Sequence, residues 1–203
     1  MTPKKRNGTL FRAACIALMA VFLMASLSGC TSYRPLRLSQ MREFEQKVRA
    51  KYPFSIVKCQ YHYGAGVNIS VTRFSFDQEC VYTILGYLKP IVCDEEFIED
   101  LFELYEGESH NDPNWKRGYR PRIWLNLYTH WGDSSYQFST TAYLENYNSG
   151  FDPESYTWDG YTTWWGTEHI KNGPGYEDDG YREIAPKEIE RAVERYSADA
   201  PSP

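Results

Sequence analysis

The chain lacks most of the signatures that identify an enzyme. None of its four histidines sits in an H-E-x-x-H zinc motif, and no G-x-S-x-G nucleophile elbow occurs. Its five cysteines include no C-x-x-C pair, so a redox or zinc reading has no support. Gly64-Ala65-Gly66 is not followed by the third glycine of a dinucleotide-binding turn. Glu177-Asp178-Asp179-Gly180 lacks the alternating ligands of a calcium loop and reads as a solvated turn. No metal or cofactor is expected. Glu145, Asp152, Glu154, Asp159 and Glu168 could supply the two carboxylates of a glycoside hydrolase, but any acidic domain offers such pairs.

Positive charge is scarce as well. The 203 residues carry 22 Lys and Arg against 27 Asp and Glu, for a net charge of -5. Four of the bases (Lys4, Lys5, Arg6, Arg12) lie in the first 29 residues, which hold no acid. The remainder therefore has 18 bases against 27 acids. That balance excludes the basic footprint of a nucleic-acid binder. A domain with that balance also lacks a polybasic route to an anionic membrane surface. With 42% hydrophobic and 16% aromatic residues, the chain is not disordered.

From Ala13 to Gly29 no charge occurs, and Ile16–Met24 is continuously apolar. A basic start followed by such a stretch has the layout of an exported precursor. It ends in Leu27-Ser28-Gly29-Cys30, which resembles the lipobox of bacterial lipoproteins. The resemblance covers only this segment. It implies a signal peptide over residues 1–29, cleavage after Gly29 and a diacylglycerol on the Cys30 thiol. An alternative is an uncleaved anchor, since the 21 uncharged residues from Ala13 to Tyr33 could span a bilayer. Either way the rest is expected outside the cytoplasm, tied to a membrane. Thr31, rather than Asp, after the cysteine implies the outer membrane where an organism has two. Residues 30–38 are expected as the lipidated cysteine and a short tether. Cys59, Cys80 and Cys93 can form one disulfide at most, and buried free thiols are the simpler expectation.

Periodicity then sketches one α+β domain over residues 39–197, with a disordered tail at 198–203. A helix is expected from a Ser39 cap to Pro53, with Met41, Phe44, Val48 and Tyr52 on one face. Val57, Cys59, Tyr61 and Tyr63 alternate before Gly64-Ala65-Gly66, and Val67, Ile69 and Val71 after it. That predicts a hairpin with Tyr63 against Val67, Tyr61 against Ile69 and Cys59 against Val71. Ser75 or Asp77 caps a second helix interrupted at Pro90. Asp94 caps a third, which Gly107 stops. A second hairpin runs from Ile123 to Leu144, and residues 156–165 suggest further strand. Asn172–Gly175 marks a turn, and Pro186 opens a last helix. The expected architecture is an antiparallel sheet of two hairpins plus extra strand, with helices mainly on one face.

All six tryptophans and nine of the seventeen tyrosines lie between residues 107 and 181. On the second hairpin Trp124, Asn126, Tyr128 and His130 should point away from the core, across from Gln137, Ser139, Thr141 and Tyr143. Rings mixed with amides and hydroxyls suit sugar rings, which stack on indole while their hydroxyls bond amides. They also suit a protein partner, since Tyr and Trp dominate interface hot spots. The plainer alternative is that Tyr, Trp and Thr are good strand residues. The expected function is a non-catalytic binding role at the cell envelope through Trp124, Tyr128, His130 and Tyr143, with a protein or glycan ligand. An envelope glycan hydrolase and a structural lipoprotein acting through an assembly partner are the alternatives.

Overall fold

The computed structural model describes residues 33–62, 66–109, 120–130, 134–140, 159–171 and 179–197. The lipobox, Tyr63, Thr141, Tyr143, Glu145, Asp152 and Glu154 lie outside them. The described residues form an α+β fold whose seven strands make a single sheet. The strands are β1 (Arg34–Pro35), β2 (Ile56–His62), β3 (Gly66–Arg73), β4 (Ile123–Thr129), β5 (Ser134–Thr140), β6 (Trp164–Lys171) and β7 (Asp179–Ile184). They lie side by side in chain order.

The sheet is larger than two hairpins with an addition, and it is mixed. Every neighbouring pair is antiparallel except β3 and β4, which are parallel. Two helices separate that pair, α2 (Gln78–Val92) and α3 (Glu95–Ser109). A parallel partner requires a crossover of this kind to return the chain to the same end. The hairpin periodicities say nothing about how the two hairpins join, so this relation was not legible in them.

Residues expected as a tether belong partly to the sheet. Arg34 and Pro35 pair with Tyr61 and Gln60, the Leu36 N–H donates to the Cys59 carbonyl at 2.9 Å, and the Leu36 side chain is buried. The first hairpin is shifted by two residues from its expected register. Tyr61 faces Val67, Cys59 faces Ile69 and Val57 faces Val71. Gly66 is thus the first strand residue rather than part of the turn, opposite His62. A slip of two keeps every apolar side chain on the same face, so alternation cannot choose between the registers.

That face is the core. One row across it reads Cys59, Ile69, Leu125, Phe138, Gly166 and Ile184. The helices bury their apolar stripes as part of the same core. Helix α1 (Ser39–Lys51) contributes Met41, Phe44 and Val48, and α2 contributes Val81, Ile84, Leu85 and Leu88. Helix α3 contributes Phe97, Leu101 and Tyr105, and α4 (Pro186–Ser197) contributes Ile189. Each such side chain adds roughly 1.5–3 kcal/mol of burial free energy.

Several helix boundaries differ from expectation, each for a local reason. Leu38 occupies the cap position of α1 without a side-chain bond, and Ser39 is the first helical residue. Asp77, not Ser75, caps α2, its Oδ1 accepting from the Cys80 N–H at 2.7 Å. Helix α2 runs through Pro90 to Val92 because the proline falls in the last turn, where one lost hydrogen bond matters little beside the burial of Ile91 and Val92. Asp94 caps α3 as expected, accepting from the Glu96 N–H at 3.0 Å, but the helix passes Gly107. The strand expected at 156–165 is β6, at 164–171; ahead of it Gly160 and Tyr161 turn the chain with φ of 67° and 64°. Asp179 and Gly180 belong to β7 rather than to a turn.

Phe54 is a second non-glycine residue with a left-handed backbone, at φ 68°. Its turn is closed by Ser55, whose hydroxyl donates to the Tyr52 carbonyl at 2.7 Å. The ring is 91% exposed and gains nothing from packing. Phe54→Asn, which tolerates this backbone, should therefore raise stability by about 0.5–1 kcal/mol in urea unfolding. An unchanged midpoint would show the turn to be unstrained.

Candidate functional site

Strand alternation sends every second residue to the face opposite the helices. The registers align these residues into three rows. The first reads Gln60, Asn68, Trp124, Ser139 and Trp165. The second reads Lys58, Ser70, Asn126, Gln137, Thr167 and Glu183. The third reads Ile56, Thr72, Tyr128, Ser135, His169 and Tyr181. At a strand spacing of about 4.8 Å, the face from β2 to β7 is about 24 Å wide. Apart from Ile56 and Lys58 at one margin and Glu183 at the other, it is made of amides, hydroxyls and rings.

The expected site residues fall on this face where they are described. Tyr128 is 46% exposed, His130 is exposed and Trp124 is half-buried. Gln137 and Ser139 do lie across from them, but opposite Asn126 and Trp124, and Ser135 stands opposite Tyr128. Burial of part of the Tyr128 ring pushes its phenol upward, so it is a neutral donor and acceptor at physiological pH.

Trp124 is held rather than loose. A Cβ on Gly66 would lie 2.9 Å from its ring, so the missing side chain leaves room for the indole beside β3. The Arg122 guanidinium sits 5.8 Å from the ring centroid on the same side. Asn126 is buried, and its Nδ2 donates to Asn68 Oδ1 at 2.7 Å. This amide pair links β4 to β3 and fixes the floor between the rings.

Two further rings belong to the face: Trp165, 56% exposed, and Tyr181, 68% exposed. The Tyr181 ring lies 5.2 Å from His169, and beyond the third row, past the end of β4, Phe74 lies 5.7 Å from His130. Sequence reasoning missed Trp165 as part of this surface. The alternation Trp165, Thr167, His169 carries the signal, but only once the strand is placed at 164–171.

Of the carboxylates considered for hydrolysis, the two that are described, Asp159 and Glu168, do not meet on this face. Glu168 points to the helix side. The Tyr136 hydroxyl donates to its Oε1 at 2.7 Å, and Arg182 Nε donates to its Oε2 at 3.2 Å. Arg182 Nη1 also donates to Glu188 Oε1 at 2.8 Å, tying α4 to β6 and β7. Burial, with the acceptor Glu168 beside it, pushes the Tyr136 phenol far up. Nearby, Tyr82 stacks on Tyr196 at 6.2 Å beside a cavity of about 230 Å3 that Arg191 and Arg195 help line. Asp159 Oδ2 accepts from the Thr163 N–H at 2.9 Å and serves the turn before β6.

The thiols are structural. Cys59, Cys80 and Cys93 are free, with Cys80 buried and the other two half-buried. Burial pushes Cys59 up to about 12 and raises Cys80 and Cys93 as well, so none is a ready nucleophile. Among the described residues no cluster of three or more His, Cys, Asp or Glu could hold a metal, and no helix is long and apolar enough to cross a membrane.

No protein-family model, curated protein or solved structure matches the chain.

Proposed function

We propose that the chain is an extracytoplasmic lipoprotein, anchored through Cys30, whose open sheet face binds a glycan without catalysing a reaction. The observation that supports this reading is the composition of that face. Helices cover the other side of the sheet, while Tyr128, Trp165 and Tyr181 stand exposed among Asn68, Asn126, Gln137 and Ser139. Trp124 and Trp165 are two strands apart, about 10 Å, with Ser139 between them. That distance suits a disaccharide, whose C–H faces stack on rings while its hydroxyls reach the intervening amides. Protein interfaces favour an apolar centre, which this face does not offer.

The test is a glycan array probed with the detergent-solubilised full chain, compared with Trp165→Ala. Binding to one glycan class is expected, and the substitution should weaken it by roughly 30-fold, the value of a hot-spot ring. Binding that survives both Trp165→Ala and Tyr128→Ala would move the site elsewhere. An empty array, with a single crosslinked protein recovered from intact cells, would instead make this face an assembly surface.

A further inference from the structure

The overall acidic balance conceals a strong segregation of charge. Residues 33–62, which supply β1, α1 and β2, carry seven bases against two acids, Glu43 and Glu45. All seven bases are exposed. Residues 63–203 carry 11 bases against 25 acids. These three elements also lie together, since α1 packs beside β2 at the margin where β1 ends the sheet.

The margin has a shape that suits anions. A groove of about 330 Å3 opens between α1 and the β1–β2 pair, lined by Pro35, Leu36, Arg37, Arg42 and Glu45 among others. Glu45 is paired with Arg49 one turn on. Arg37 and Arg42 form no ion pair with a described residue, so both guanidinium forks remain for an outside partner. Planar forks of this kind match phosphate oxygens. At one end of β2, Phe54 is almost fully exposed and Ile56 is half exposed; at the other, Tyr33 packs its ring 5.4 Å from His62.

We propose that this basic margin docks on an anionic phospholipid surface. Arg37 and Arg42 take headgroup phosphates in the groove, Lys58, on β2 at the margin of the ring-bearing face, comes within reach of the headgroup layer, and Phe54 enters the interface. The proposal rests on the anchoring read for Cys30, which precedes Tyr33 by three residues, at most about 11 Å. A lipid chain with a neighbouring basic patch is a two-signal anchor. The negative surface also repels the acidic remainder, so the charge asymmetry orients as well as binds. The sheet then stands on its β1–β2 margin with the ring-bearing face turned sideways, open to a ligand. The strained, exposed Phe54 is accounted for by the same arrangement, as a stability cost kept for contact with the bilayer.

The test uses the lipidated full chain in phosphatidylcholine vesicles, with and without phosphatidylglycerol. A membrane-impermeant amine reagent reports Lys58, with Lys187 on α4 as internal reference. On anionic vesicles Lys58 should label about 5-fold more slowly than on neutral ones, and high salt should restore it. Lys187 should not change, and Arg37→Glu with Arg42→Glu should abolish the protection. Equal labelling of Lys58 on both vesicles overturns the proposal, as does equal protection by inorganic phosphate alone, or protection seen in cells but not on vesicles, which would assign the margin to a protein. Flotation with neutral vesicles reads the lipid anchor separately. A chain that floats only with anionic vesicles, and protects Lys58 there, would retain the docking margin and remove the anchor.

Discussion

Gly66→Ala should lower the stability of the domain by about 4 kcal/mol, the sum of a left-handed backbone and a core-grade steric clash. Gly66 has φ 119°, a conformation that a side chain disfavours. The new methyl would lie 2.2 Å from the Arg122 carbonyl oxygen and 2.9 Å from the Trp124 ring. Neither neighbour can move cheaply. The Arg122 carbonyl accepts from the Val67 N–H at 2.8 Å, the contact at which the parallel β3–β4 pairing begins. Trp124 is the ring that the open face holds against β3. Relief therefore means parting the two strands or lifting the indole, so the loss should appear twice. The urea midpoint should fall sharply, and ligand binding should weaken even in the fraction that remains folded. A loss below about 1 kcal/mol, the range of an ordinary surface substitution, would show that the Arg122 segment is free to shift.

How much of this was legible beforehand depends on what each pattern encodes. Period-two alternation marks faces, and the faces are right. Val57, Cys59, Val67, Ile69, Leu125 and Phe138 point inward, while Trp124, Tyr128 and His130 point outward. Alternation marks register only modulo two, so the first hairpin slid by two residues, and the partner positions of Trp124 and Tyr128 slid as well. The helical stripes were plain because their burial is large, but the stops were not. Pro90 and Gly107 are weak breakers when they fall in a final turn. Strand β6 was displaced because Trp164 and Trp165, adjacent in sequence, have opposite fates: Trp164 is buried and Trp165 is out. A run of rings reads as strand without saying where it begins. The basic margin was invisible for a different reason. Net charge averages over surfaces, and only the packing of α1 beside β2 gathers the early bases into one patch.

Cys30→Ala should bring incorporation of an alkyne-tagged fatty acid to background and leave the chain 29 residues longer than the wild-type product, as read by intact mass. The expectation follows from the physics of acyl anchoring. One chain gives marginal, reversible binding, with an association constant on the order of 10⁴ M⁻¹, whereas two hold stably. The diacylglycerol implied at Cys30 supplies two, and the thiol is its only point of attachment. Fractionation alone is the weaker measurement, since an uncleaved precursor keeps the apolar run from Ile16 to Met24 and can stay with the membrane through it. Lipid labelling and mass are decisive because they separate the two anchors. A helix of the 21 uncharged residues from Ala13 to Tyr33 would be about 30 Å long, enough to span the hydrocarbon, and would leave the wild type unlabelled and starting at Met1. Only a wild-type product that begins at a lipidated Cys30 supports the lipobox. An unlabelled product that begins elsewhere removes it, while leaving the basic margin to be judged by its own footprint.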